Sequence, residues 1–246
     1  DAEERNKQIK DGKLNHTDLI DVRLFGAVTA EKNRAKGHYT EERHGKQDND
    51  QVTAEENRAE GHYTGPVQFN WGYSLHPVEI VDSSTSTSSF SSGQGIFNDY
   101  RVHYSLLAFS GSINANAAQS TKLSDEDLSL FDEAILKAIP LARTRSKIGQ
   151  YPRLYLRIEL NGKDQFLKDL RPMINIIGKS GVIAENLRLI RKPDDYKLDL
   201  SRLITYLKEN EGKISQIHCF RDDQLEADNF EDIFVNKAWK HELSLL

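Results

Sequence analysis

Four sets of residues have the types and spacing to do chemistry. The first is IIGKSG, residues 176–181. Its Gly-Lys-Ser is the end of a phosphate-binding loop, in which backbone N–H groups and the lysine hold phosphates and the hydroxyl binds Mg2+. Met173 stands where that loop's first glycine belongs, which argues against an NTPase. The same turn has the Gly-x-x-Gly spacing, Gly178 to Gly181, with which KH domains clamp a nucleic-acid backbone. The second set is histidine. His38, His44 and His62 match no standard zinc spacing, and His76, His103 and His218 are isolated from one another. The third set is the carboxylates, which are plentiful but fall into no recognisable catalytic pair. No nucleophile signature of the G-x-S-x-G or H-E-x-x-H kind is present. The sequence therefore predicts no catalytic residue, no metal site and no cofactor. The fourth set is cationic: Arg143, Arg145 and Lys147 in ARTRSKIGQYPR (142–153), then Arg153, Tyr155 and Arg157 on one side of the run that follows. An Arg-Tyr-Arg face can bind phosphate and stack a base; an ordinary exposed strand face has the same composition.

Net charge is -5 over 246 residues, which by itself argues against a polyanionic partner. Its distribution argues the other way. Residues 134–192 hold 13 Lys and Arg against 4 Asp and Glu, leaving 20 against 34 for the rest. A local basic excess attracts phosphate even on an acidic protein. The single cysteine, Cys219, allows no intrachain disulfide or cysteine-built zinc site and fits a reducing cytoplasm. No apolar run approaches the roughly 18 residues of a membrane span, and no signal peptide is visible. The chain starts at Asp1 rather than methionine, as a processed chain does, or one whose true start lies upstream.

The elements that position these residues follow from periodicity. Residues 1–18 are polar and read as a helix or a trimmed edge; DVRLFGA (21–27) ends in a glycine that permits a sharp turn. An internal repeat comes next: VTAEKNRAKGHYT (28–40) recurs as VTAEENRAEGHYT (52–64). Two polar copies are too few for a solenoid, so 28–64 reads as an exposed insertion lengthened by duplication. Val67, Phe69, Trp71 and Tyr73 alternate on one face of a predicted strand, and Pro77 limits the next segment to an edge or a strand start. Residues 82–95, DSSTSTSSFSSGQG, fit either a flexible linker or an extended finger of hydroxyls with one aromatic. A strand is predicted over 100–108. A helix starts near Ser124, capped reciprocally with Asp127, and ends near Pro140. Leu154, Leu156, Ile158 and Leu160 form the apolar face of a strand. Leu200, Leu203, Ile204 and Leu207 mark an amphipathic helix, and 214–220 a further strand. Strands outnumber helices without βαβ regularity, so the predicted class is α+β.

Several strings in order carry a family resemblance: DVRLFGA (21–27), GPVQFNWGYSLHPVEIV (65–81), DYRVHYSLLAFSGSINANAAQSTKLSDEDLSLFDEAI (99–135), TRSKIGQYPRLYLRIEL (144–160) and YKLDLSRLITYLKENEGKISQI (196–217). Together they resemble the backbone subunit of type I CRISPR surveillance complexes (Cascade), closest to the type I-B branch of the RAMP superfamily. The resemblance implies an RRM-like (ferredoxin-like) palm formed by 1–27 and 65–246, an inserted β-hairpin thumb at about 82–99, peripheral helices, and a polar insertion at 28–64. It implies a non-catalytic protein that binds crRNA, stacks head to tail with copies of itself, joins other subunits of the complex and supports recognition of target DNA in the cytoplasm, with no membrane partner. Its groove would place Arg23, Phe25, Gly26, Gln68, Trp71, Ser74 and His76 near RNA, although Trp71 could be core. Phe90 and Phe97 would be thumb wedges, Arg101 would be a further RNA-binding residue, and Arg143, Arg145 and Lys147 would meet phosphates. Two departures stand out: the family's N-terminal strand has no counterpart before Asp21, and the duplicated insertion is unusual. A RAMP-type endoribonuclease and a KH-like RNA-binding module are the alternatives.

Overall fold

In the computed structural model, which describes residues 2–28, 62–87 and 96–245, short helices and short strands mix along the chain. Helices α1 (Ala2–Lys10) and α2 (Ile20–Phe25) lead into β1 (Gly26–Val28). Strand β2 (His62–Thr64) returns antiparallel to β1, Gly26 opposite Thr64 and Val28 opposite His62. A nested ribbon follows, made of β3 (Val67–Phe69), β4 (Tyr73–Ser74), β5 (Ile80–Thr87), β6 (Ile96–Val102), β7 (Leu107–Ala108) and β8 (Gly111–Ile113), paired β3–β8, β4–β7 and β5–β6. Then come α3 (Ala115–Thr121), α4 (Asp125–Leu141), β9 (Leu154–Leu160), β10 (Asn175–Gly178), α5 (Gly181–Glu185), β11 (Tyr196–Asp199), α6 (Ser201–Glu209), β12 (Ile214–Arg221), β13 (Ala227–Asp228) and β14 (Lys240–Glu242). The late strands form two three-stranded sheets, β10-β11-β13 and β14-β12-β9. This mixed architecture of small sheets is compatible with the α+β class.

The chain divides into two compact units, Asp1–Gln68 with Ser112–Leu128, and Phe69–Gly111 with Ser129–Leu246. In the first, α2 packs on α3 and α3 on β2, burying Val22, Leu24, Val67 and Thr121. Helix α3 starts at Asn114, whose side chain accepts the N–H groups of Asn116 and Ala117. The start of α4 is the reciprocal cap expected from the sequence: Ser124 N–H donates to Asp127 Oδ2 (3.1 Å) and Asp127 N–H to Ser124 Oγ (3.2 Å). Aspartate serves in place of the usual glutamate.

The second unit holds the main core. Tyr196 and Leu198 of β11, Leu203, Ile204 and Leu207 of α6, and Ile214, Ile217 and Cys219 of β12 are buried together with Phe230, Ile233 and Phe234. Leu154, Leu156, Ile158 and Leu160 of β9 pack against them. The α6 and β9 faces are those that the sequence predicted. Burial pushes the Cys219 thiol up to about 11, so it stays a protonated, apolar core group.

Three local readings are corrected. The predicted strand through 67–73 is broken into β3 and β4, because the Asn70 side chain takes the Trp71 N–H (2.8 Å) and the Asn70 N–H turns to Ser110 O (2.8 Å). The strand predicted over 100–108 breaks likewise after Val102, where the Leu106 N–H goes to the His76 ring instead of a neighbouring strand (3.3 Å). The linker reading of the serine-rich segment fails for the part described, since 84–87 pair antiparallel with 96–99, Thr87 opposite Ile96.

Candidate nucleic-acid interface

In the first unit, DVRLFGA and the start of GPVQF cross at two glycines. Gly26 has φ +75°, and a side chain there would strike the Tyr63 carbonyl oxygen; one on Gly65 would strike the Phe25 carbonyl. Only glycine lets the two backbones approach this closely. Arg23 lies just before the crossing. Its Nε and Nη2 donate to both oxygens of Asp127 (2.7 and 2.5 Å), and Nη1 donates to the carbonyls of Thr17 and Asp18 (3.0 Å each). Hydrogen bonding to Asp127 raises the Arg23 pKa, and the same bonds hold the Asp127 carboxyl below its usual range. Arg23 thus closes α2 onto the start of α4, with its donors used inside the protein. Phe25 is half exposed. Gln68 is exposed, and its Nε2 donates back to Gly65 O (2.9 Å).

In the second unit the ribbon break exposes Trp71, 90% accessible, which settles against the core alternative. His76 is buried. Its Nδ1 donates to Pro77 O (3.0 Å) and its Nε2 accepts the Leu106 N–H, which together fix the Nδ1–H tautomer. Ser74 Oγ donates to His76 O (2.7 Å), so Ser74 and His76 form one internal corner. Arg101 is exposed on β6, paired across from Val81, and Phe97 lies on β6 across from Ser86. Phe90 lies outside the described residues, as do His38 and His44.

The two halves of the cationic stretch behave oppositely. Residues 142–151 form a chain of turns that is exposed throughout, with Arg143, Arg145 and Lys147 on the outside beside Leu141, Ile148 and Tyr151. Lys147 N–H bonds Thr144 O (2.9 Å), Gln150 N–H bonds Lys147 O (3.2 Å), and Gly149 at φ +85° completes the last turn. The Arg153, Tyr155 and Arg157 side of β9 is instead covered. Arg157 donates to both oxygens of Asp132 (2.8 and 2.7 Å) and to Glu159 (2.7 Å), and Tyr155 donates to Asp132 (2.6 Å). Arg153 pairs with Asp222. His218 donates from Nε2 to Glu159 (2.8 Å), and its Nδ1 lies 3.7 Å from Asp132. Burial would raise Glu159, but the bonds from Arg157 and His218 outweigh it and hold the carboxyl low. Burial first, and then Arg157, push the His218 pKa down. The sequence reading missed Asp132 and Glu159. Asp132 sits on a helix face that otherwise reads as apolar, beside the buried Phe131 and Leu136; a carboxylate among core residues was the available signal.

The basic excess of 134–192 is also largely answered in space. Lys137, Arg153, Arg157, Lys179, Arg191 and Lys192 pair with Glu133, Asp222, Asp132, Glu226, Glu79 and Asp194, all outside that segment. Lys179 belongs to the GKSG turn, which joins strand β10 to helix α5, whereas a KH clamp joins two helices. Ser180 caps α5 by accepting the Ile183 N–H (3.3 Å). The KH reading therefore lacks its geometry. Among the described residues no cluster of His, Cys, Asp and Glu could hold a metal ion, and no helix is long and apolar enough to cross a membrane.

Comparison with known proteins bears on these strings directly. The family model described as CRISPR-associated protein Cas7 matches residues 1–201. The chain belongs to the Cas7 family. A CRISPR-associated protein Cas7 of Haloferax volcanii is 34% identical over 186 residues, 72% of this chain and 53% of that protein. The chain thus spans about half the length of that curated relative. Within the part matched to Cas7 lie both glycines of the crossing, Trp71 and the 142–151 loop.

Proposed function

We propose that this Cas7-family chain is a non-catalytic guide-RNA-binding backbone subunit of a type I CRISPR surveillance complex. Family membership over residues 1–201 carries the reading. Three features support it. The 142–151 loop offers cations to phosphate without offering a sequence-reading surface. The β5–β6 hairpin, 80–87 with 96–102, lies where a thumb is expected. The β1–β2 ladder brings residues 28 and 62 opposite each other, as an insertion spliced between 1–27 and 65–246 of an RRM-like palm requires. Copies of the chain would stack along crRNA with other subunits of the complex, present the guide to target DNA, and work in the cytoplasm.

The test is incubation of the purified protein with labelled repeat-spacer RNA. The expected result is protection of the RNA and formation of helical oligomers. Metal-dependent cleavage at regular intervals would replace this reading with the endoribonuclease. Absence of RNA binding, alone and with partner subunits, would remove both.

A further inference from the structure

The ribbon break is not slack. Residues 70–72 interrupt one side between β3 and β4, and residues 109–110 interrupt the other between β7 and β8. Trp71 and Phe109, 90% and 62% exposed, stand at this break. Behind them is an ion pair between a buried arginine and an exposed aspartate. Arg171 donates Nη1 to Trp71 O (2.5 Å) and lays its guanidinium over the Tyr73 ring, 4.7 Å from the centroid. Its Nε and Nη2 hold Asp169 (3.0 and 2.6 Å). Arg171 chiefly, and also the Ser110 hydroxyl, hold the Asp169 carboxyl low. One pair therefore grips both sides of the break. At Gly72 any side chain would collide with the Phe109 ring, so glycine is what lets that ring lie over the ribbon backbone.

This arrangement keeps two aromatic rings in water on a braced backbone, so the backbone has little conformational freedom left to lose on binding. Each ring buries at most about 150–250 Å², well short of the roughly 800 Å² per partner that a standard protein interface needs. A flat, unpaired base fits that size, and stacking on aromatics is the sequence-tolerant way to hold one. Lys168, exposed and without an ion-pair partner among the described residues, immediately precedes Asp169 and adds a cation for phosphate.

We infer that Trp71 and Phe109 form a stacking platform for one unpaired base of single-stranded RNA, and that Asp169 and Arg171 are positioning residues that hold it open. The inference rests on the RNA-binding reading above, so the experiment separates the two. The chain has two tryptophans; in a Trp239→Phe protein Trp71 is the one indole. Labelled oligouridylate followed by anisotropy reads binding, and unlabelled oligouridylate followed by indole emission reads stacking. Emission is expected to fall in parallel with binding, and Trp71→Ala to weaken binding about tenfold. Arg171→Lys is expected to weaken binding in the Trp71 protein and to add nothing to Trp71→Ala, a coupling that a purely structural role does not produce. If Trp239→Phe melts early, the difference in quenching between the unaltered protein and Trp71→Phe reads the same quantity. A rise in anisotropy with unchanged Trp71 emission overturns the platform alone. Emission that responds to protein concentration but not to RNA assigns the rings to a second copy and also overturns it. No rise in anisotropy overturns the platform and the RNA-binding reading together.

Discussion

Arg143 and Arg157 lie fourteen positions apart in one basic stretch and do opposite work. Arg143, with Lys147, sits on a run of turns whose side chains all face water. Arg157, on β9, is held by Asp132 and Glu159, and Tyr155 donates to the same Asp132. The difference is made by α4: an aspartate on its buried face turns a would-be phosphate surface into a structural ion pair. Basic residues report a ligand only where the fold supplies no carboxylate of its own.

The comparison is broken most severely at Asp132. Asp132→Ala strips the buried Arg157 of its two-pronged partner and leaves it only Glu159; the expected cost is about 3 kcal/mol of stability, measured by urea unfolding. Retained stability would mean that the pair is dispensable. Lysine substitution sharpens the contrast. Arg157→Lys keeps the charge but loses the two-pronged geometry, at an expected cost of about 1.5–3 kcal/mol, while Arg143→Lys leaves the melting midpoint unchanged. Equal midpoints for the two variants would erase the distinction.

The loop is tested from the other side. Replacing Arg143, Arg145 and Lys147 together with Ala is expected to weaken RNA binding and to reduce the slope of log affinity against log salt by about 2, at roughly 0.7 per lost single-strand phosphate contact. Stability should stay within about 0.5 kcal/mol. An unchanged salt slope removes the loop from the interface.

The smallest effect is acid sensitivity. Because the folded His218 pKa lies below its unfolded value, the unfolded chain binds the proton more readily. The stability tied to neutral His218 is therefore fully present above about pH 6.5 and declines as pH falls below it. Asp132, Arg157 and Glu159 face the ring, and the tilted His241 ring lies 4.7 Å from it. His218→Asn should flatten that decline, leaving the later loss, below the ordinary carboxylate range, to Asp127 and Asp169. A melting curve that ignores pH between 6.5 and 5 in the unaltered protein would contradict this.

Periodicity made the core legible. Leu203, Ile204 and Leu207 and the β9 leucines were placed correctly, because burial imposes a helical or alternating pattern on sequence. The cap at Ser124 was legible because it is local. The ribbon break was not: what bends it is an asparagine bonding its own neighbour and an arginine one hundred residues away. The site was legible only as a family signature. Which of its cations are spent internally, as Arg23 is, depends on carboxylates brought in from other segments.

The β1–β2 ladder has a consequence for how this protein can change. Val28 and His62 face each other across two strands, so the two ends of the segment between them are held together at one narrow doorway. The ladder itself requires only that these two ends return together. Closing a loop of twice the length costs only about 0.6 kcal/mol more. A copying error that doubled a segment there would meet almost no resistance from the fold, and the near-identical repeats at 28–40 and 52–64 record one such event. The same doorway is where a reporter domain can be spliced in with the two glycines and the aromatic platform left untouched.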